Sequence, residues 1–186
     1  MSSPDSETSV SPLALKLGFW SAVTAVFTFV TYTVCFAAIL LSSPVFTWTT
    51  LTDYLAYVEA YDSPLRPLAQ ASMLLFSLSF VVLLQSIHEV TGTERKILSR
   101  ISISFGSLFA VTIGIHYFVQ LSAVRLNLLA GKTDGLQHFV QANPYSILSA
   151  VNMLGWSIFL GLASLFVAPT FSVARPERVI RFAFLV

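Results

Sequence analysis

His116 is the side chain best placed to do chemistry in this sequence. It sits in an apolar run that contains no Asp, Glu, Lys or Arg, Ile101 to Val124. An imidazole changes charge near neutral pH and can bond through either ring nitrogen, so it suits a proton relay or a ligand contact. It lies eight residues before Val124, about 12 Å below the end of that run at 1.5 Å per residue. On the same arithmetic Asn152 is about 10 Å deep in a later run and Tyr32 about 14 Å deep in the first. Gln120 and Ser149 come just above this level, with Ser72 and Met73 as further neighbours. Burying an amide or imidazole against lipid is expensive. Tyr32, His116, Gln120 and Asn152 are therefore candidates for lining one polar cavity. The plainer alternative is a neutral histidine bonded to a neighbouring hydroxyl.

Other chemistries fail on spacing. A bis-histidine haem needs two histidines at one depth, but His88 closes the second apolar run and His138 falls between the third and fourth. His88-Glu89 lacks the second histidine of a zinc-protease helix. Glu89 is a candidate surface partner for Arg95 or Lys96, a weak effect. Cys35 is the only cysteine, so no internal disulfide or cysteine-clustered metal site can form. It reads as a small apolar filler. The apolar runs contain no carboxylate, which argues against an embedded hydrolase. No metal or cofactor is expected.

These residues must be held by long helices. Hydrophobic residues make up 55% of the 186 and charged residues only 10%, against roughly 25% charged in an average soluble domain. A soluble fold could not clothe its surface with so few charges. The net charge of +1 gives no basic footprint for nucleic acid. Four runs meet the roughly 20-residue length of a membrane span: 17–41, 68–87, 101–124 and 145–168. The fold expected is all-α, a polytopic bundle of four transmembrane helices. A single membrane domain covers 13–170, preceded by a disordered polar tail over 1–12. The first run is too long for a signal-peptide core, and Asp5 and Glu7 make a poor basic leader. Pro44, Pro67, Pro144 and Pro169 flank the runs, and Pro67 and Pro144 fit the first turns of the second and fourth helices.

Two stripes predict how the helices pack. Ser21, Thr24, Thr28, Thr31 and Cys35 follow heptad spacing on the first helix. On the third, Ser102, Gly106, Ala110 and Gly114 recur every four residues, a ridge that lets a second backbone approach closely. The approach is either within the chain or to a second copy. A polar ridge of Thr112, His116 and Gln120 lies beside it, which predicts that this helix is the centre of the bundle.

Orientation follows from loop cations. Lys16, Arg95, Lys96, Arg100, Arg175, Arg178 and Arg181 share one side, seven in all; Arg66, Arg125 and Lys132 share the other. Both termini are thus expected in the cytoplasm. In the first outer loop, Leu51, Leu55 and Val58 make an apolar stripe flanked by Tyr54, Tyr57 and Tyr61. This predicts a short interfacial helix. Residues 134–142 suggest another interfacial turn. These segments are either aromatic anchors or a lid over a site between the helices. Gly131 is a stop for the third helix, which is free to continue to Leu129. Residues 171–186 read as a cytoplasmic foot or as the start of a fifth span.

The stretch from His116 to Phe171, HYFVQLSAVRLNLLAGKTDGLQHFVQANPYSILSAVNMLGWSIFLGLASLFVAPTF, resembles a family of uncharacterised prokaryotic multi-pass membrane proteins. Tyr117 to Arg125 and Asn143-Pro144 carry the likeness. The resemblance implies a cell-membrane location and further spans, and gives no catalytic residue. The function expected is a non-enzymatic bundle that binds a small apolar or amphiphilic ligand, or a partner helix, in an outer-half polar pocket. The alternatives are a membrane-embedded enzyme acting on lipid and a subunit of an oligomeric transporter or channel. The lipid bilayer is a partner on any of these readings; a second copy of the chain is a further candidate, and nucleic acid is not.

Overall fold

The computed structural model describes residues 11–172 and 176–185. Every regular element among them is helical. Four helical stretches are long and apolar enough to cross a membrane: Pro12–Ser42, Leu65–Val90, Thr93–Leu129 and Ile147–Thr170. The first three outreach their charge-free runs at both ends, because polar flanks continue the helix beyond the hydrocarbon; the fourth starts two residues inside its run and ends two beyond it.

The first span is α1 (Pro12–Ser42). Pro12 opens the helix, so the expected tail is shortened at its end; residues 1–10 of that tail lie outside the described residues. Proline suits a helix's first turn, where its missing N–H has no intrahelical partner. The second span is α3 (Leu65–Val90), with Pro67 in its first turn. Between them α2 (Leu51–Ala60) lies in the connection. Thr50 caps α2 by accepting from the Asp53 N–H at 3.2 Å. The Asp53 carboxylate accepts in turn from the Thr49 and Thr50 hydroxyls, both at 2.7 Å.

The third span is α4 (Lys96–Val119), a π turn over Gln120–Val124, and α5 (Arg125–Leu129). It ends where Gly131 takes φ 66°, a left-handed conformation that only glycine adopts without cost. The fourth is α6 (Ile147–Met153), a second π turn over Leu154–Phe159, and α7 (Leu160–Val167). Its cap is Ser146, whose hydroxyl accepts from the Ser149 N–H at 3.1 Å. Pro144 therefore falls outside the helix and not in its first turn. Beyond the spans, α8 (Glu177–Ala183) is a short exposed helix, and Phe184 stacks on Phe171 at 5.8 Å.

The helices pack as a sequence of neighbours. α1 lies along α3, α3 along α4, and α4 along α6, the second π turn and α7. The interior is thus shared by the second and third spans. Small residues set the α1–α3 distance: Ala14, Ser21, Thr28 and Cys35, seven apart, are all buried, with Ala25 between them. A Cβ on Gly18 would come within 3.0 Å of the Ser86 Cβ. The hydroxyls bond back to their own helix, Ser21 to the Gly18 carbonyl at 3.0 Å and Thr28 to Thr24 at 2.8 Å, which makes them cheap to bury. The core between α3, α4 and α7 is Met73, Phe80, Leu84, Phe109, Ile113, Tyr117, Ala163 and Val167. Trp156 packs edge-on to Phe109 at 5.2 Å.

A second, smaller core caps the α2 end. Tyr54, Val124, Leu136 and Val140 are its buried members, with Phe46, Trp48 and Val58 packed against them. The segments joining the spans at this end are therefore folded onto each other and onto the third span.

Candidate functional site

Near the α2 end, α4 meets α6 through His116. Its ring is fully buried, and Nδ1 lies 2.9 Å from the Leu148 carbonyl. A carbonyl can only accept, so Nδ1 carries the proton and Nε2 is left as an acceptor. Nε2 has no hydrogen-bond partner among the described residues; Gln141 lies beside the ring without closing one. Asn152 follows Leu148 by one turn on the same helix. Its Oδ1 is also buried without a partner. The imidazole and the amide thus belong to one α4–α6 interface, each with an unmet polar atom.

Gln120 does different work. Its Nε2 donates to the Phe139 carbonyl at 2.6 Å, and its Oε1 accepts from the Gln141 N–H at 3.3 Å. It pins the 139–141 segment over the end of the third span. Tyr32 is half-buried on α1, stacked on Phe36 at 5.9 Å and beside Tyr117.

The small residues of α4 face two neighbours. Ser102 donates to the Ala163 carbonyl of α7 at 2.6 Å. A Cβ on Gly106 would run into Leu84 of α3, whereas one on Gly114 would meet Leu74 at an ordinary 3.8 Å. Ala110 is buried. The tightest approach to the fourth span is at Gly155, where a Cβ would lie 2.7 Å from Thr112 Oγ1 and 2.9 Å from Ile113 Cδ1.

A cleft of about 820 Å³ opens at the α2 end, between α2, the start of α3 and the far end of the third span. Leu55, Val58, Val124 and Leu128 give it an apolar wall, and Gln70 and Gln120 add amides. Glu59, Asp62, Arg66 and Arg125 supply charge of both signs. None of these four is in an ion pair among the described residues. The Arg66 guanidinium carbon sits 5.7 Å from the Tyr57 ring centroid, a cation–π distance. Buried Tyr54 forms part of the wall; burial lifts its phenol above the ordinary value, and nearby Arg66 pulls it the other way.

Of the four residues singled out in the sequence, Gln120 alone lines this cleft; His116 and Asn152 lie at the helix interface and Tyr32 on α1. Arg66 and Arg125 had a signal: each flanks an apolar run at the same membrane end. Glu59 and Asp62 had none stronger than the polar side of a short helix. At the other end, His88 Nδ1 lies 2.7 Å from the Ser99 hydroxyl. Arg95 reaches the Thr170 carbonyl at 3.4 Å. Glu89 forms no ion pair among the described residues, unlike the surface pairing anticipated for it. No three His, Cys, Asp or Glu side chains among the described residues come together to hold a metal ion.

Fold and site together define an integral membrane protein with four spans. No protein-family model, curated protein or solved structure matches the chain.

Proposed function

We propose that the protein is a non-enzymatic binding protein of the prokaryotic cell membrane that takes a small amphiphilic ligand in the cleft at the α2 end. The cleft itself carries this reading. Its volume of about 820 Å³ falls in the usual range for small-molecule sites, about 300–1,000 Å³. Its apolar wall and polar rim match a molecule with one end of each kind. The seven-to-three distribution of cations supports cytoplasmic termini and an outward-facing cleft. The likeness of residues 116–171 to prokaryotic multi-pass proteins supports the location.

Leu128→Trp tests the reading by filling the apolar wall, with Val26→Trp on α1, 65% exposed, as control. Native mass spectrometry of the full chain from a mild detergent should show a bound amphiphile that Leu128→Trp expels and Val26→Trp keeps. A ligand retained equally by both variants would place it elsewhere, and the cleft would lose its role.

A further inference from the structure

We infer that the amphiphile held in the cleft is a zwitterionic phospholipid, its phosphate met by Arg66 and Arg125 and its ammonium by Glu59 and Asp62. This deepens the binding reading above and rests on it.

The inference begins with charge. Two guanidiniums and two carboxylates line one cleft, and none is in an ion pair among the described residues. Charges of opposite sign that share a cleft without neutralising each other remain open to a ligand carrying both. The rim sums to zero, so an anionic amphiphile gains the arginines but meets the carboxylates, and a cationic one meets the reverse. A neutral amphiphile would engage none of the four charges. Specificity is a difference of affinities, and like-charge contacts with the wrong ligand contribute to it as much as good contacts with the right one.

Position supports a lipid over a free solute. Trp48, Tyr54, Tyr57 and Tyr61 gather at this end, with Tyr57 and Tyr61 at 5.2 Å and Trp48 and Tyr54 at 5.9 Å. Such aromatic belts mark the headgroup level of a bilayer. Arg66 is held over the Tyr57 ring, which restricts its side chain before any ligand arrives. An arginine placed this way binds a phosphate through a planar fork of donors. Beside the charges, Val58, Val124 and Leu128 form the apolar wall, where acyl chains would lie.

The test uses the full chain in micelles with equal amounts of phosphatidylethanolamine and phosphatidylglycerol of the same acyl chains, read by native mass spectrometry. Free glycerophosphoethanolamine is added in a parallel arm. We expect the zwitterionic lipid to be retained over the anionic one by about tenfold, the scale of one charge-assisted contact. Free glycerophosphoethanolamine should not displace it at equal concentration. The double variant Glu59→Gln with Asp62→Asn should abolish the preference while lipid remains bound. Arg125→Gln should weaken retention of both lipids. Both variants alter exposed side chains, and unchanged thermal unfolding in detergent verifies their fold. Equal or greater retention of phosphatidylglycerol by the unaltered chain would overturn the headgroup assignment and leave the cleft reading standing. So would a preference that survives the double variant. Displacement by the free headgroup would overturn the choice of lipid. Retention of no lipid at all would overturn both the inference and the reading beneath it.

Discussion

His116, Asn152 and Gln120 are all polar and all set among apolar neighbours, yet they should respond differently to substitution. His116→Leu removes a buried bond to the Leu148 carbonyl and should cost about 1 kcal/mol, within the range for one neutral hydrogen bond. Asn152→Leu removes a buried oxygen that has no partner, so it should be neutral or raise the unfolding temperature in detergent. Gln120→Leu leaves the Phe139 carbonyl and the Gln141 N–H without their partner and should cost about 2–3 kcal/mol. It should also weaken ligand retention, because Gln120 supplies one of the cleft's amides; thermal unfolding and ligand retention read the two effects separately. Asp53 adds a pH dependence. The Thr49 and Thr50 hydroxyls hold its carboxyl below its ordinary value. A depressed folded value stabilises the ionised form, so the support of α2 is complete above the unfolded value of about 3.9. It is lost as pH falls further, through the lower folded value. Carboxyl NMR should place the Asp53 midpoint below the ordinary carboxylate value; a midpoint at or above that value would mean the cap does not form.

At the scale of elements, close approach decides which glycines matter. Gly155→Ala would press on Thr112 and Ile113, and Gly106→Ala on the buried Leu84. Each should lower stability in detergent by about 1–3 kcal/mol, as overpacking does. Gly114→Ala meets only an ordinary contact and should be nearly neutral. Equal effects at all three positions would contradict the packing described. The four spans were legible in the sequence because lipid forces the backbone into helices and forbids unpaired charge along them. The two π turns were not. Gln120–Val124 and Leu154–Phe159 have ordinary helical composition, and a π turn adds a residue to the turn and shifts the phase of everything after it. Depth and stripe arithmetic at a fixed 100° per residue holds along α4 and fails past Gln120. Gly155 carried no periodic signal, because its closeness to Thr112 and Ile113 is a contact between two spans that spacing along one span does not record.

For the whole molecule, the two ends of the bundle differ in kind. One carries the start of α1, His88, Arg95 and Lys96; the other carries α2, the aromatic belt and the cleft. Reporter fusions after residues 48 and 133 should read outside, and one after residue 96 inside. A cytoplasmic signal at residue 48 would invert the orientation. Counting along the apolar runs assigns Tyr32, His116 and Asn152 one expected depth, but no count locates the cleft. It depends on where α2 sits, which brings Glu59 and Asp62 to the same cleft as Arg125 across connections whose paths no periodicity records.

The most direct measurement is an experimental structure of the full chain crystallised from a lipid phase. The account predicts elongated density in the cleft between Val58, Gln120 and Leu128, its polar end within hydrogen-bond reach of Arg66 or Arg125. A cleft closed by α2 packing onto the third span, or open and without such density in a lipid-saturated crystal, would contradict it.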